Sequence, residues 1–352
     1  MLVTGHTGFK GSWLCEWLLL LGAKVHGIAL EPDTKPALFH QLGLAQRLHH
    51  QIADIRDPQA VQAAFASARP RVVFHLAAQS LVRRSYAQPV QTFATNVQGT
   101  VNVLESMRDC EHPCVAVVVT SDKCYENLET GKDHREGDAL GGHDCYSASK
   151  AAAEIATSAY RRSFFLDDAN KRIVSARAGN VIGGGDWAED RILPDCIRHL
   201  EKGEAIPVRH PRASRPWQHV LEPLSGYLEL AARLLKGPIP GEGKVTDASY
   251  GAFNFGPKPG SERTVQELVE EVLKSWPGRW EQKGDSSAPH EASRLSLDIS
   301  KAQRVLGWQP KWDFAQAVRE TVEWHRSATR CQSPADFQNL TTRRISLFLN
   351  KI

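Results

Sequence analysis

Three glycines near the start of the chain constrain its fold more than any other feature. Gly5, Gly8 and Gly11 follow a short apolar run, Leu2–Thr4, and precede a predicted helix at residues 12–21. The first glycine permits a tight turn, the second lets the backbone approach an anion, and the third allows close packing of helix on strand. Free N–H groups at the start of the helix then attract a phosphate. This context predicts a dinucleotide-phosphate site over Gly5, Thr7, Gly8, Phe9, Lys10 and Gly11.

Short β-branched segments alternate with longer amphipathic segments through the first half of the chain. Predicted strands cover residues 2–4, 24–30, 51–54, 71–76, 115–121 and 172–176, and predicted helices cover residues 12–21, 58–68, 96–108 and 146–163. This alternation is typical of βαβ units, so we expect an α/β fold with a Rossmann-type, doubly wound parallel sheet. Only four residues precede the first glycine, so we expect a first strand that is stunted or begins further upstream.

The pattern changes after about residue 180. Glycines at residues 183–185 predict a flexible turn, and a loop rich in Arg and Pro follows at residues 209–217. The elements predicted beyond it are a strand near residues 252–256 and helices at residues 297–306 and 314–325. We expect a dinucleotide-binding domain at residues 1–180 and a smaller C-terminal substrate-binding lobe at residues 181–352. The strand near 252–256 returns to the sheet, so the two parts interleave.

Composition argues against several classes of function. The 352 residues carry 43 Lys and Arg against 40 Asp and Glu, and a net charge of +3 is too small to indicate nucleic-acid binding. The apolar run at residues 18–21 is far shorter than the roughly 20 residues of a membrane span. The seven cysteines form no Cys-x-x-Cys pair, and the 14 histidines show no metal-ligand spacing. We therefore expect a cytoplasmic protein without a membrane segment, a metal or a nucleic-acid partner.

A tyrosine and a lysine, Tyr146 and Lys150, lie four residues apart and so share one face of a predicted helix. A nearby ammonium favours the phenolate and can lower the pKa of the tyrosine, which then accepts a proton from a substrate hydroxyl. Upstream, Ser121, Asp122 and Lys123 end the predicted fifth strand, at the edge where parallel sheets bind ligands. An acid, Asp122, and a base, Lys123, beside the Ser121 hydroxyl indicate further proton transfers.

The Gly-x-x-Gly-x-x-Gly spacing followed by Tyr-x-x-x-Lys resembles the extended short-chain dehydrogenase/reductase superfamily. The resemblance implies a nicotinamide dinucleotide at the glycine loop and a Ser121 hydroxyl that assists Tyr146. The second strand ends with Ala29, where an acid that binds the ribose is usual, and Glu31 follows two residues later. No Arg that could bind a 2′-phosphate is near in sequence, so NAD is expected. The other cofactor residues implied are Asp54, Ile55, Leu76, Ala77, Ala78, Asn96, Tyr146 and Lys150.

Structural alternatives stay open for some of these positions. The alternative for Asp54 is a turn residue or a helix N-cap, and the alternative for Asn96 is an N-cap for the helix that follows. The small residues Ala77 and Ala78 also suit tight packing between helix and sheet.

Five longer segments resemble the nucleotide-sugar 4,6-dehydratases, and among these the CDP-glucose 4,6-dehydratases, over nearly the whole chain. The segments are residues 5–13, 120–127, 177–187, 215–220 and 289–292. The resemblance implies that Tyr146 takes the O4 proton while NAD accepts hydride from C4, that water leaves across C5 and C6, and that hydride returns to C6. Asp122 is then the acid for the departing O6 hydroxyl, and Lys123 is the base at C5. Many such enzymes have Glu in place of Lys123, and a lysine base needs a pKa well below its usual ~10.4.

The same resemblance implies CDP-glucose as the substrate, in the synthesis of deoxysugars for bacterial surface polysaccharides such as lipopolysaccharide O-antigen. The substrate-binding residues it implies are Gln79, Asn180, Arg191, Arg209, Arg215 and His290. A solvated surface charge is the alternative for any one of the arginines. Two other functions stay open: a dehydratase or 4-epimerase for another nucleotide sugar, and a catalytically silent protein that senses the cofactor. The Asp122–Lys123 pair disfavours an epimerase.

Two helical faces predict self-association. The helix from Asn96 carries apolar residues at about the helical period, and the helix after Tyr146 has a face of small residues. The residues are Val97, Val101, Leu104 and Met107 on the first helix and Ala151, Ala152, Ala156 and Ala159 on the second. Related enzymes often dimerise through these two helices as a four-helix bundle, so a homodimer is expected. The alternative is that both faces are buried within one chain.

Overall fold

The computed structural model describes residues 1–128, 131–166, 168, 170–237, 251–284 and 295–350. The strands within these ranges are β1 Leu2–Thr4, β2 His26–Ala29, β3 His49–Ile52, β4 Val72–His75, β5 Cys114–Val119, β6 Lys171–Ala178, β7 Val181–Ile182, β8 Ile206–Val208, β9 Ser214–Arg215, β10 Gln218–His219, β11 Ala252–Phe255, β12 Arg263–Thr264 and β13 Trp280–Gln282.

The α-helices of the described ranges are α1 Phe9–Leu20, α2 Leu38–Gln41, α3 Pro58–Ala68, α4 Val82–Ala87, α5 Pro89–Phe93, α6 Gly99–Asp109, α7 Cys145–Tyr160, α8 Ile192–Lys202, α9 Leu221–Lys236, α10 Val265–Ser275, α11 Ser300–Leu306, α12 Phe314–Ala328 and α13 Pro334–Leu349. Short 3-10 turns lie at Leu44–Gln46 and Asp122–Cys124, and π-helical segments lie at Ala94–Gln98 and Arg161–Phe165.

Seven strands form one parallel sheet in the order β11-β6-β5-β4-β1-β2-β3. The chain builds from β1 outward to β3, returns to β4 on the other side of β1, and then builds outward again. The strand order therefore reverses between β1 and β4. This is the doubly wound, Rossmann-type α/β sheet that the sequence predicts, so that prediction is confirmed. Ligands of such sheets bind at the carboxyl ends of the strands beside the reversal.

Side chains of the sheet alternate between two apolar layers. In β5, Val115 and Val117 belong to one buried cluster, whereas Ala116 and Val118 belong to the other. Helices α1, α9 and α13 contribute to the first cluster, and α3 and α6 contribute to the second. All six residues of β5 are buried, which is typical of a central strand with helices on both faces. The three-residue β1 is paired on both sides, so its shortness leaves no gap in the sheet.

A third apolar cluster lies in the second half of the chain and joins α8, β8, α10 and α12. Small two-stranded sheets surround it, formed by β7 with β10, β8 with β13 and β9 with β12. Other segments of the same half join or pack on the large sheet. Strand β11 pairs with β6, α9 contacts β5 and β6, and α13 contacts α1. The division at residue 180 stays a prediction, and the interleaving involves helices as well as the returning strand.

Several predicted boundaries were wrong by a few residues. The third strand is β3, His49–Ile52, rather than residues 51–54. The helix predicted from Leu297 begins at Ser300, because Leu297 instead forms a β-bridge with His134. Asn96 lies inside the π-helical segment between α5 and α6, so the alternative of a helix N-cap is wrong for it. Helices α2, α4, α5, α8, α9, α10 and α13 were not predicted. Across the described ranges, no helix is both long and apolar enough to cross a membrane.

The buried face of α1 yields a test of this packing. Leu14 is fully buried against the sheet, whereas Leu20 on the same helix is 46% exposed. Leu14→Ala leaves a cavity, and we expect it to lower the free energy of unfolding by about 2–5 kcal/mol. Leu20→Ala is the matched control and should change it by less than about 0.5 kcal/mol. Chemical denaturation followed by tryptophan fluorescence measures both variants, and equal losses would contradict the packing of α1.

Candidate active site

The glycine loop is shaped by contacts that exclude a side chain at two of its three glycines. Gly5 has a φ of +75°, and a Cβ atom there would lie 2.7 Å from the Ala77 nitrogen. A Cβ on Gly11 would lie 2.1 Å from the Gly5 oxygen. Gly8 precedes α1 as its N-cap, and a Cβ there would meet only the Gly5 oxygen, at 3.4 Å. The loop thus packs tightly against β4 and stays open at Gly8, which fits a pyrophosphate on the start of α1.

A cleft of about 880 Å³ lies between the carboxyl edge of the sheet and the lobe, within the usual size range of ligand sites. The predicted residues that line it are Gly5, Thr7, Gly8, Phe9, Lys10, Gly11, Asp54, Ile55, Leu76, Ala77, Ala78, Gln79, Ser121, Asp122, Lys123, Tyr146, Lys150, Asn180, Arg191, Arg209 and Arg215. Asn96 lies behind this wall, and His290 lies outside the described residues.

Tyr146 and Lys150 lie in the first turns of α7. Asp144 caps this helix by accepting hydrogen bonds from the Ser147 N–H and hydroxyl, at 2.9 and 2.7 Å. Lys150 is buried and donates to the Val119 carbonyl at 3.3 Å. Burial lowers the pKa of Lys150 to about 8, and the carboxylate of Glu154 opposes this shift.

The pKa of Tyr146 differs from the expectation. Burial raises it to about 12, while a hydrogen bond with Ser121 and the charge of Arg191 act in the opposite direction. The expected lowering by Lys150 is therefore wrong for this structure, because desolvation of the phenolate outweighs the neighbouring cations. Arg191 is a cation near the phenol that the sequence did not connect with it.

Ser121, Asp122 and Lys123 follow β5 and form what we call the catalytic turn. The Ser121 hydroxyl accepts the Lys123 N–H at 3.2 Å and donates to Asp122 Oδ1 at 3.0 Å. Asp122 is buried, and its Oδ2 has no hydrogen-bond partner among the described residues. Burial raises the pKa of Asp122, while the charges of Lys123 and Arg215 work against this effect. A buried carboxyl with a raised pKa is suited to donate a proton.

Asn96 fixes the segment that follows β4. Its side chain accepts the Gln79 N–H at 2.8 Å and donates to the Gln79 carbonyl and to the Ser149 hydroxyl, at 3.0 and 2.8 Å. The Gln79 amide bonds to Leu81 and Thr92. Gln79 lines the cleft, but both polar ends of its amide are engaged in this local turn. Its predicted role in substrate binding therefore gains no support from its contacts.

The nucleoside end of the cleft contains carboxylates with arginine partners. Asp54 Oδ2 lies 2.5 Å from Arg56 Nη2, and Asp54 Oδ1 accepts the Arg56 N–H, so Asp54 also acts as the turn residue left open above. Asp33 follows β2 and pairs with Arg84 at 2.9 Å. Sequence reasoning found no arginine here, since Arg84 is 55 residues beyond Ala29 in sequence and only the fold brings it near.

On the lobe side of the cleft, two of the predicted arginines, Arg191 and Arg209, form ion pairs. Arg191 Nη1 lies 3.0 Å from Asp186 Oδ2. Asp190 Oδ1 lies 3.0 Å from Arg209 Nη1 and 3.4 Å from Arg83 Nη1. Arg83 belongs to α4 beside the sheet, so Asp190 links the two walls of the cleft. No sequence pattern indicates Arg83, Asp186 or Asp190, because these pairs depend on tertiary contacts alone.

The loop residues His6 and Lys10 are buried and partly buried, respectively. Lys10 Nζ donates to the Tyr227 hydroxyl at 3.4 Å. Burial, with Arg191 and Lys150 nearby, lowers the pKa of Lys10 to about 7. His6 Nε2 lies 2.7 Å from His50 Nδ1, and burial lowers the pKa of His6 to about 4. His6 is therefore neutral at neutral pH, whereas Lys10 is partly protonated there.

The geometry agrees with what sequence comparison finds. A profile of the family described as GDP-mannose 4,6 dehydratase matches residues 2–321. The chain belongs to this family. Among curated relatives, the CDP-glucose 4,6-dehydratase of Salmonella typhimurium is 43% identical over 97% of both chains. The dTDP-glucose 4,6-dehydratase 1 of Escherichia coli is 27% identical over 94% of this chain and 93% of its own.

Two solved structures share this fold and contain NAD. A dTDP-glucose 4,6-dehydratase from Streptomyces venezuelae with NAD bound superposes with a TM-score of 0.74 at 26% identity, over 92% of this chain and 96% of its own. A UDP-glucose 4-epimerase from Thermus thermophilus in complex with NAD gives 0.75 at 26% identity, over 93% and 99%. The predictions of an NAD-dependent enzyme and of a nucleotide-sugar dehydratase are confirmed.

The glycine contacts make a testable distinction within the loop. Gly11→Ala forces a Cβ into the Gly5 carbonyl, so we expect a lower melting temperature and loss of NAD binding. Gly8→Ala has room for its methyl group in the folded protein, so we expect an unchanged melting temperature but weaker NAD binding, since the methyl group narrows the approach to the helix N-terminus. Thermal denaturation and NAD titration by tryptophan fluorescence measure the two properties. A destabilised Gly8→Ala protein would contradict the geometry.

Proposed function

We propose that this chain catalyses the NAD-dependent 4,6-dehydration of CDP-glucose to CDP-4-dehydro-6-deoxyglucose and water. The observation that carries the proposal is Asp122, a buried carboxyl with a raised pKa beside Ser121, at the strand end that faces Tyr146. An oxidation or epimerisation at one carbon needs a single acid–base group. A second acid in the same cleft suits the loss of a hydroxyl from the neighbouring end of the sugar.

Tyr146 is the group that exchanges a proton with the sugar O4 hydroxyl. NAD, held over the glycine loop, supplies a hydride acceptor that is regenerated within each turnover. Lys150 provides positive charge within the same buried helix face, and Ser121 provides a hydroxyl that bonds both Asp122 and Tyr146. These contacts orient the phenol before substrate arrives, which is how a buried site lowers the cost of proton transfer.

Asp122 and Lys123 divide the elimination between them in this proposal. Asp122 donates its proton to the departing O6 hydroxyl, and burial keeps that proton in place at higher pH than on an exposed aspartate. Lys123 takes the C5 proton, which a neighbouring 4-ketone makes acidic. The two side chains follow one another in sequence and lie in a 3-10 turn, so they can act on adjacent carbons of one ring.

Arg191, Arg209, Arg215 and Asn180 line the lobe side of the cleft, and we assign them to the diphosphate and the nucleoside. Guanidinium groups bind phosphate oxygens in pairs of hydrogen bonds. Asp186 and Asp190 hold two of these arginines at fixed positions before the substrate enters. His290 is assigned to the substrate by resemblance alone. The choice of CDP rests on the identity with the Salmonella typhimurium relative.

A substrate panel tests the proposal directly. Purified protein and NAD are incubated with CDP-, UDP-, dTDP- and GDP-sugars, and products are scored by mass spectrometry. Loss of one water from CDP-glucose alone is the expected result. Water loss from another sugar keeps the reaction and changes the substrate, an isomer of unchanged mass indicates a 4-epimerase, and no conversion with NAD bound favours a silent cofactor-binding protein.

The assignment of Asp122 as a separate acid can be checked by substitution. Asp122→Asn keeps the size of the side chain but removes its proton, so water loss should fall by about 100-fold or more. Oxidation at C4, followed by absorbance of reduced nicotinamide, should persist because Tyr146 is intact. Tyr146→Phe is the matched variant and should abolish both. In the parent, water loss should decline as pH rises through the raised pKa of Asp122, since only its protonated form donates.

We further propose a homodimer in the cytoplasm. Ile155 lies on α7, one of the two helices expected to associate, and is 58% exposed. Val90 and Phe93 lie on α5, just before the other helix, and are 75% and 39% exposed. Leu104 and Met107 of the predicted face are buried within the chain, so only part of that face is available. All seven cysteines are unpaired, which fits a reducing compartment. Light scattering should give twice the chain mass of 39.0 kDa.

A further inference from the structure

Glu154 is the centre of a buried polar cluster behind the active site. Its carboxylate accepts hydrogen bonds from Thr120 Oγ1 at 2.5 Å, from Ser175 Oγ at 2.7 Å and from Arg177 Nη2 at 2.7 Å. Thr120 directly follows β5, and the other two donors belong to β6. One carboxylate therefore ties α7, which carries the catalytic tyrosine and lysine, to two adjacent strands of the sheet.

Arg177 extends this cluster to the catalytic turn. Its Nη1 donates to the Tyr125 hydroxyl at 2.8 Å and to the Glu136 carbonyl at 3.1 Å, and the Tyr125 hydroxyl donates to Asn254 Oδ1 at 2.7 Å. Tyr125 is the residue that ends the 3-10 turn containing Asp122 and Lys123. The ion pair of Glu154 and Arg177 thus holds α7 and the catalytic turn against the same part of the sheet.

Glu154 also shares a helix face with Lys150, one turn away on α7. The other titratable groups that act on or respond to Lys150 are Cys124 on the 3-10 turn, Lys10 on α1 and His75 on β4. Burial raises the pKa of the Cys124 thiol and lowers the pKa of His75 to about 3, so both are neutral near pH 7. Of these four groups, Glu154 is the one that carries negative charge there.

We propose that Glu154 is a positioning residue that keeps Lys150 protonated and holds α7 and the catalytic turn in register. The proposal rests on the proposed function for its kinetic consequences and on the buried contacts for its geometry. Glu154 faces two cations, Lys150 and Arg177. Without the carboxylate, two buried cations remain near one another. The loss of the carboxylate should therefore lower the pKa of Lys150.

The test is the pH dependence of oxidation at C4, followed by the absorbance of reduced nicotinamide in an Asp122→Asn background, in which residue 122 no longer titrates. Activity needs protonated Lys150, so it declines as pH rises through the pKa of that lysine. Glu154→Gln should move this alkaline limb to lower pH by about one unit or more. Because Glu154→Gln leaves Arg177 as a buried charge and can unfold the protein, the double variant Glu154→Gln/Arg177→Met provides a neutral pair that is expected to fold and to keep the lowered limb.

Three controls separate charge from structure. Ser175→Ala removes a hydrogen bond to Glu154 but no charge, so its alkaline limb should lie at the same pH as in the parent even if its rate falls. Glu154→Asp retains the charge, so its alkaline limb should return to the pH seen in the parent. Glu201→Gln makes the same substitution at an exposed residue of α8 and should have no effect. Equal rate losses in Glu154→Gln and Ser175→Ala with unchanged limbs would show a purely structural role and overturn the proposal.

A measurement without turnover keeps this inference separate from the proposed reaction. Acetic anhydride acylates only the neutral amine, so the pH at which Lys150 begins to react, read by peptide mass spectrometry, reports its pKa. An earlier onset in Glu154→Gln supports the proposal even if no sugar of the panel is converted. An onset that matches the parent overturns it even if CDP-glucose is dehydrated.

Discussion

The reversal of strand order between β1 and β4 determines where the functional groups of this chain lie. Parallel strands all end at one edge, so segments far apart in sequence meet there: the glycine loop after β1, the Ala77 segment after β4, the catalytic turn after β5 and Asn180 after β6. The contact is intimate, because a Cβ atom on Gly5 would strike the Ala77 backbone. The cofactor loop and the active-site wall are therefore parts of one packed unit, and a change in either displaces the other.

The polar groups that meet at this edge need hydrogen-bond partners where they are buried. Two buried rows of hydrogen-bonded groups provide them. One runs through Thr4, His75, Thr100 and the Asn96 carbonyl, with contacts of 2.7, 2.9 and 2.7 Å. The other runs from Glu154 through Arg177 and Tyr125 to Asn254. The first supports the segment behind the cofactor loop, and the second supports the catalytic turn. Helix α7 is linked to both, through Ser149 and Glu154, so the proposed catalytic tyrosine and lysine lie on an element that both rows hold in place.

Features that depend on local chemistry were readable from the sequence, and features that depend on tertiary contact were not. The glycine spacing, the Tyr146–Lys150 pair and the catalytic turn follow from backbone and helix geometry within a few residues, and the fold places all of them in one cleft. Gln79 matched a family position, but its amide is engaged in a turn that sequence spacing does not reveal. The links between Arg83 and Asp190 and between Glu154 and Arg177 join residues 23 to 107 positions apart, and many pairs of charges have such separations by chance. A long-range ion pair leaves no periodic trace, so only the packed structure identifies it.

Burial acts on the catalytic groups in different directions, and this difference is what allows them distinct roles. It raises the pKa of Tyr146 to about 12 and raises that of Asp122, so both retain protons, whereas it lowers the pKa of Lys150 to about 8. The same desolvation thus favours the neutral form of each group, and specific partners then correct the balance. Ser121 and Arg191 favour the phenolate, and Glu154 favours the ammonium. Glu154 in turn remains ionised although it is buried, because Arg177, Thr120 and Ser175 all donate to it. The charge state of Lys150 is therefore set one layer behind the residues proposed to touch the substrate, in side chains whose spacing along the chain carries no recognisable motif.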